Sequence, residues 1–263
     1  MFRTTPAMLA LAAVLGLTAG ACGDDGPATP GSAPAPGASD ATATLTAPAD
    51  GARLAGGVDV TMAADGITIG PAGEVLPGTG HFHVIADQGC VAPGTAIAKD
   101  ADHVHFGSGA ATGTIYLEPG PHKLCLQVGD GAHSALAISD TAEIVVGVTD
   151  VDEWCDVIAE VDSLFATLET SAEPFAAQQA GFENARRLLA QLDDGVGTVD
   201  AEVRSDVEEL LHWAGVMVAT MLTAESAEAA AELLWGPEST LPTDEFGVAG
   251  EQWIRDTCGV SVG

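Results

Sequence analysis

The hydrophobic pattern of this chain changes period once, near Thr149, and that change limits the fold more than any other feature. Before it, short apolar runs, many of them period-two, alternate with Gly and Pro. Candidate strands are Thr42–Leu45, Val58–Ala63, His81–Ala86, Gly113–Leu117, His122–Val128 and Ala142–Val148. Pro77-Gly78, Pro93-Gly94, Pro119-Gly120 and Gly129-Asp130-Gly131 supply turns between them, and no amphipathic stretch of helical length intervenes. This pattern predicts an immunoglobulin-like β-sandwich over residues 45–148. After Thr149 the apolar residues recur every three or four positions. Val151, Trp154, Cys155, Ile158, Val161, Leu164, Phe165 and Leu168 make one stripe. Further helices are expected over about 174–193, 199–223, 224–234 and 244–257, with Pro174 opening the second and Gly236-Pro237 closing the fourth. Short connections favour antiparallel neighbours, so residues 151–263 read as an α-helical bundle. The expected fold class is multidomain, β followed by α.

The N-terminus points to a compartment. Arg3 is followed by the small and apolar run Ala7–Thr18, the layout of a signal peptide over residues 1–21. Ala19-Gly20-Ala21-Cys22 resembles a bacterial lipobox, which implies that Cys22 carries acyl chains, palmitate among them. An ordinary signal peptide cut after Ala21 is the competing reading. Residues 22–44, rich in Gly, Pro, Ala and Thr without aromatics, read as a flexible tether. The expected product is an extracytoplasmic lipoprotein held to a membrane by its lipid anchor, with an envelope protein or cell-wall component as its kind of partner.

Five cysteines fit that setting. With Cys22 lipidated, four remain. The simplest pairing joins Cys90 to Cys125 and Cys155 to Cys258, one disulfide in each half, although four cysteines allow three connectivities. No CxxC occurs, which argues against a redox or thiolate-zinc site.

Charge excludes partners more firmly than it selects one. The chain has 38 Asp and Glu against 8 Lys and Arg. Nucleic acid is therefore not an expected partner, since phosphate binding needs clustered cations. Residues 45–148 hold 11 acidic and 3 basic side chains, whereas residues 151–263 hold 23 and 4. The acid thus concentrates on the helical half, where solvated helix faces explain it.

The histidines gather on the other half. His81, His83, His103, His105, His122 and His133 fall within 53 residues. In an extended strand, positions i and i+2 share a face, so His81/His83 and His103/His105 would each present paired imidazoles. Imidazole suits copper or zinc, and Asp87, Asp100, Asp102 and Asp130 are candidate carboxylate ligands or hydrogen-bond acceptors. The competing reading gives each ring a structural hydrogen bond to a backbone carbonyl.

Several blocks in this region together resemble one family. They are Gly80-His81-Phe82-His83-Val84, Gly94–Asp100, His103-Val104-His105-Phe106-Gly107-Ser108-Gly109 and Leu117–Asp130, followed by His133. They resemble the DUF4399 family of secreted bacterial domains over about residues 45–148. The chain departs from that pattern at Phe82, where members read Gly-His-His-His, and at Ala110-Ala111-Thr112, where they carry a Gln-Thr-Glu-like segment. The resemblance implies an envelope location and no particular reaction. The ending Trp253–Gly259 loosely resembles small helical lipoproteins of high-GC Gram-positive, actinobacterial type.

No convincing catalytic constellation stands out. Ser134 beside His133 lacks any sign of a third partner, and Gly107-Ser108-Gly109 reads as a tight turn. His212, Trp213, Met217 and Met221 share a helix and read as core packing ahead of a heme or copper site. The leading expectation is a non-catalytic binding or structural module of the cell envelope. The alternative is copper or zinc binding through the six clustered histidines.

Overall fold

The structure is a computed structural model describing residues 40–239, 241–242 and 247–261. The expected signal peptide, Cys22 and most of the tether lie outside the described residues. Nine strands precede five helices among them. The strands are β1 (Thr42–Ala47), β2 (Arg53–Leu54), β3 (Val58–Asp65), β4 (Thr68–Ile69), β5 (Thr79–Ala86), β6 (His103–Phe106), β7 (Thr112–Ile115), β8 (Gly120–Gly129) and β9 (Ala135–Val146). The helices are α1 (Val151–Glu169), α2 (Phe175–Asp194), α3 (Arg204–Thr223), α4 (Ala227–Trp235) and α5 (Val248–Cys258). Strand β1 begins at Thr42, inside the segment read as tether to residue 44. No helix among the described residues is long and apolar enough to cross a membrane.

The β region is a mixed sheet structure, an open, curled half-barrel. One sheet runs β1-β3-β7; the other runs β2-β9-β8-β5-β4, with β6 also pairing β5. Two parallel pairs, β2 with β9 and β4 with β5, accompany antiparallel ladders. Side-chain alternation assigns the faces. Phe82, Val84 and Ala86 of β5 join Leu124, Leu126 and Val128 of β8 in the main apolar core, which Val58, Val60 and Met62 of β3 complete. The odd-numbered residues of β5 face the other way. There Ile85 packs with Cys125, Ile97 and Ala135 in a smaller cluster. The outer face is covered by the segment after β5. Gln127 fastens that cover, accepting from Val91 N at 2.8 Å and donating to Val91 O at 2.7 Å. The Cys90–Cys125 disulfide ties it again.

The five helices form a bundle whose period is the one the sequence shows. Asp150 caps α1 by accepting from Glu153 N at 2.9 Å, while Glu153 reaches back to Thr149 N at 2.8 Å. Trp154 is fully buried and donates its indole N–H to Leu192 O at 3.1 Å, satisfying its one polar atom. The Cys155–Cys258 disulfide joins the start of α1 to the end of α5. Helix α3 starts at Arg204, later than the expected 199, because residues 200–203 form a separate turn closed by Val203 N donating to Asp200 O at 3.1 Å.

The β and helical regions share a polar seam within one compact unit. Gln191 of α2 is fully buried; it accepts from Gly56 N at 2.8 Å and donates to Gly56 O at 3.2 Å and Leu117 O at 3.0 Å. Glu160 of α1 accepts from Gly57 N at 2.8 Å. It also bonds Tyr116, whose hydroxyl burial and this carboxylate push up to about 12. Arg187 of α2 is buried and grips the turn before β6, donating to Asp102 Oδ1 at 2.8 Å and to the carbonyls of Ala101 and Tyr116.

Candidate metal centre

Four histidines converge on the outer face of the larger sheet. His81 and His83 come from β5, His105 from β6 and His133 from the turn between β8 and β9. The antiparallel register sets His83 directly opposite His105, while His81 lies opposite Gly129. Ring centroids of all six pairs lie between 4.7 and 5.7 Å apart. His81 Nε2 sits 2.9 Å from His83 Nε2, and His105 Nε2 sits 3.1 Å from His133 Nε2. His81, His105 and His133 offer ligand atoms that all lie within 4.8 Å of one another, a cluster capable of coordinating a metal ion.

Small residues make room for these rings. A Cβ on Gly107 would lie 2.0 Å from His105 Cε1, and one on Gly129 would lie 3.0 Å from His83 Nε2. His133 stands at φ +66°, a left-handed conformation that a non-glycine residue adopts at a cost. Its turn is over-determined. Asp130 Oδ1 accepts from Ala132 N and Ser134 N, both at 2.9 Å, and His133 O accepts from Ile97 N at 2.8 Å. Asp130 therefore spends its carboxylate on building the turn that presents His133.

Burial and neighbouring rings favour the neutral forms of His81, His83 and His105. Burial, reinforced by His105 and His133, lowers His81 from 6.5 to about 4 against an opposing pull from Asp130. Burial and the four neighbouring histidines lower His83 to about 3. His105 is lowered by burial, His133 and Lys99. A neutral imidazole keeps a lone pair for a metal. The His81–His83 contact uses both Nε2 atoms, and the buried Nδ1 atoms of these two rings have no hydrogen-bond partner. An all-nitrogen set suits copper or zinc. Tetrahedral nitrogen ligands about 2.0 Å from zinc lie about 3.3 Å apart, close to the 3.1 Å between His105 and His133.

His103 and His122 take other partners. His103 Nδ1 bonds Asp100 Oδ1 at 2.8 Å, which holds the Asp100 carboxyl below its usual range. His122 lies between Asp87 Oδ2 and Glu118 O, both at 2.7 Å. Both ring nitrogens are thus engaged by oxygen acceptors, and neither is turned toward the histidine cluster. The candidate carboxylates are likewise committed: Asp87 to His122, Asp100 to His103, Asp102 to Arg187 and Asp130 to its turn. The sequence marks Gly107 and Gly129 only as turn residues and gives no role to Gln127, Arg187 or Gln191.

No curated protein matches the chain. Residues 60–149 match the family described as Domain of unknown function (DUF4399), so a DUF4399 domain occupies this stretch and contains all four clustered histidines.

Proposed function

We propose that the protein is a non-catalytic metal-binding module that holds one copper or zinc ion through His81, His105 and His133, with His83 adjoining. The observation that carries this reading is the convergence of three imidazoles from separate elements within one 4.8 Å set. Separate structural hydrogen bonds to carbonyls would have spread these rings apart, as happens to His122. The metal would be held by nitrogen ligands alone, from the buried His81 and the half-buried His105 and His133. We place the protein outside the cytoplasm, anchored through lipid on Cys22, where an envelope protein or cell-wall component is the expected partner. The two disulfides support that setting, because such bonds persist in oxidising compartments. We also keep an immunoglobulin-like relationship for the β region as a proposal, supported by the apolar core shared between its two sheets.

Titration of the purified chain with Cu(II) and Zn(II), followed by calorimetry and metal analysis, tests the reading. One ion per chain is expected at low micromolar dissociation constant or tighter. His105→Ala should weaken binding by about 100-fold or more, since loss of outer hydrogen-bond partners alone costs about 10–100-fold. His122→Ala should leave the affinity unchanged. Absence of binding by the unaltered chain would remove the proposal.

A further inference from the structure

The helical bundle contains a cavity of about 560 Å³, inside the roughly 300–1,000 Å³ range of small-molecule pockets. Its wall includes Phe165, Phe182, Leu211, Trp213, Met217 and Met221. Phe165, Trp213, Met217 and Met221 remain half-buried along this wall, whereas Val207, Leu211 and Val218 of the same bundle are buried. An unfilled apolar space of this size forfeits the contacts of its lining, and such spaces admit apolar guests. The flexible Met side chains adapt to a guest's shape.

The outer part of the lining has a different chemistry. Asp162 and Glu169 are exposed there, Glu251 is half-buried, and Trp235 of the same lining is 69% exposed. None of the described lining residues is Lys or Arg. A fatty-acid carboxylate or a lipid phosphate would meet three carboxylates against one nearby cation, Arg255, which lies 4.0 Å from Glu251. We infer that this cavity binds a long-chain amphiphile with a cationic head, the chain among the apolar wall residues and the head among Asp162, Glu169 and Glu251. Trp235 offers the head an aromatic face as well. The inference uses none of the clustered histidines and stands apart from metal binding.

The probes are dodecyltrimethylammonium and dodecyl sulfate, each below its micelle concentration, followed by calorimetry and tryptophan fluorescence on the full chain. Salt at about 0.5 M suppresses general adsorption of a cation to an acidic surface. One saturable site per chain is expected for the ammonium, at least tenfold tighter than for the sulfate. Ala214→Trp, which places an indole in the cavity, should abolish that site, with circular dichroism verifying the fold. The pair Asp162→Asn and Glu251→Gln should bring the two affinities together while keeping saturable binding, and it decides the matter if Ala214→Trp does not fold. Non-saturating uptake, equal affinity of the unaltered chain for both probes, or unchanged selectivity in the paired variant would overturn the inference.

Discussion

The β and helical regions treat polar groups in opposite ways. The β region is mildly charged but buries imidazoles: His81 and His83 are fully enclosed, and their Nδ1 atoms have no partner. The helical region carries 23 of the 38 acidic residues yet turns most of them to solvent. What it leaves incomplete is apolar, a cavity in its own interior. Charge density therefore points away from the metal-capable site. An exposed carboxylate has water as its partner, whereas a buried polar atom without one must be explained by what it can bind.

The two regions are also secured differently, and this gives the largest expected effect. Loss of Cys155–Cys258 by paired Cys→Ser substitution removes a closure spanning 103 residues, worth roughly 4.7 kcal/mol in the chain-entropy model. Loss of Cys90–Cys125, spanning 35, should cost about 4 kcal/mol in the same model. Denaturant unfolding measures both. The comparison breaks if the shorter closure proves the more important.

The seam supplies the next test. Gln191→Leu strands a backbone N–H and two carbonyls, each costing about 1–3 kcal/mol if it stays dry. Calorimetry should then show two transitions, the helical region melting apart from the β region. A single shifted transition would mean that the seam's packing, and not its hydrogen bonds, couples the regions.

Acid should act on the β region first. In the metal-free protein, His81 and His83 have folded values near 4 and 3 against an ordinary 6.5. Below about 6.5 the unfolded chain takes up protons that the folded chain refuses, so stability is full above that pH and falls as the pH drops. Stability measured between pH 6.5 and 5, above the ordinary carboxylate range, should decline, and His81→Phe should flatten the decline. A slope unchanged by that substitution would sink the assignment.

Smaller effects separate site geometry from general stability. Gly107→Ala pushes a methyl group against the His105 ring and should weaken metal binding by about tenfold. The measurement is metal titration beside thermal melting, and equal wild-type affinity would show that β6 simply shifts. Lys123→Ala removes an exposed 3.8 Å contact with Glu143 and should change stability by about 1 kcal/mol or less.

Much of the fold was legible before the structure. The stripe from Val151 to Leu168 became α1, and each of the six expected strands overlaps an observed one, although Gly113–Leu117 and Ala142–Val148 run two residues past β7 and β9 and β6 was not among the six. Strands β2 and β4, two residues each, have too little length for any period. The site was legible only in part. Alternation correctly places His103 and His105 on one face of β6, yet only His105 reaches the cluster. Register sets His103 opposite Ile85, where Asp100 captures its ring. His133 was a candidate by residue type, but no period places it, because its position depends on a left-handed turn built by Asp130.

By itself, the sequence determined the change from strand to helix, the location of the acid and the residue types able to hold a metal. These follow from local periodicity and composition, which neighbouring residues impose on one another. Only the tertiary structure decided which imidazoles meet, which carboxylates are already committed, and that α2 reaches across to hold the turn before β6. Those outcomes depend on pairing between segments distant in the chain, where a shift of one residue would turn every side chain to the opposite face.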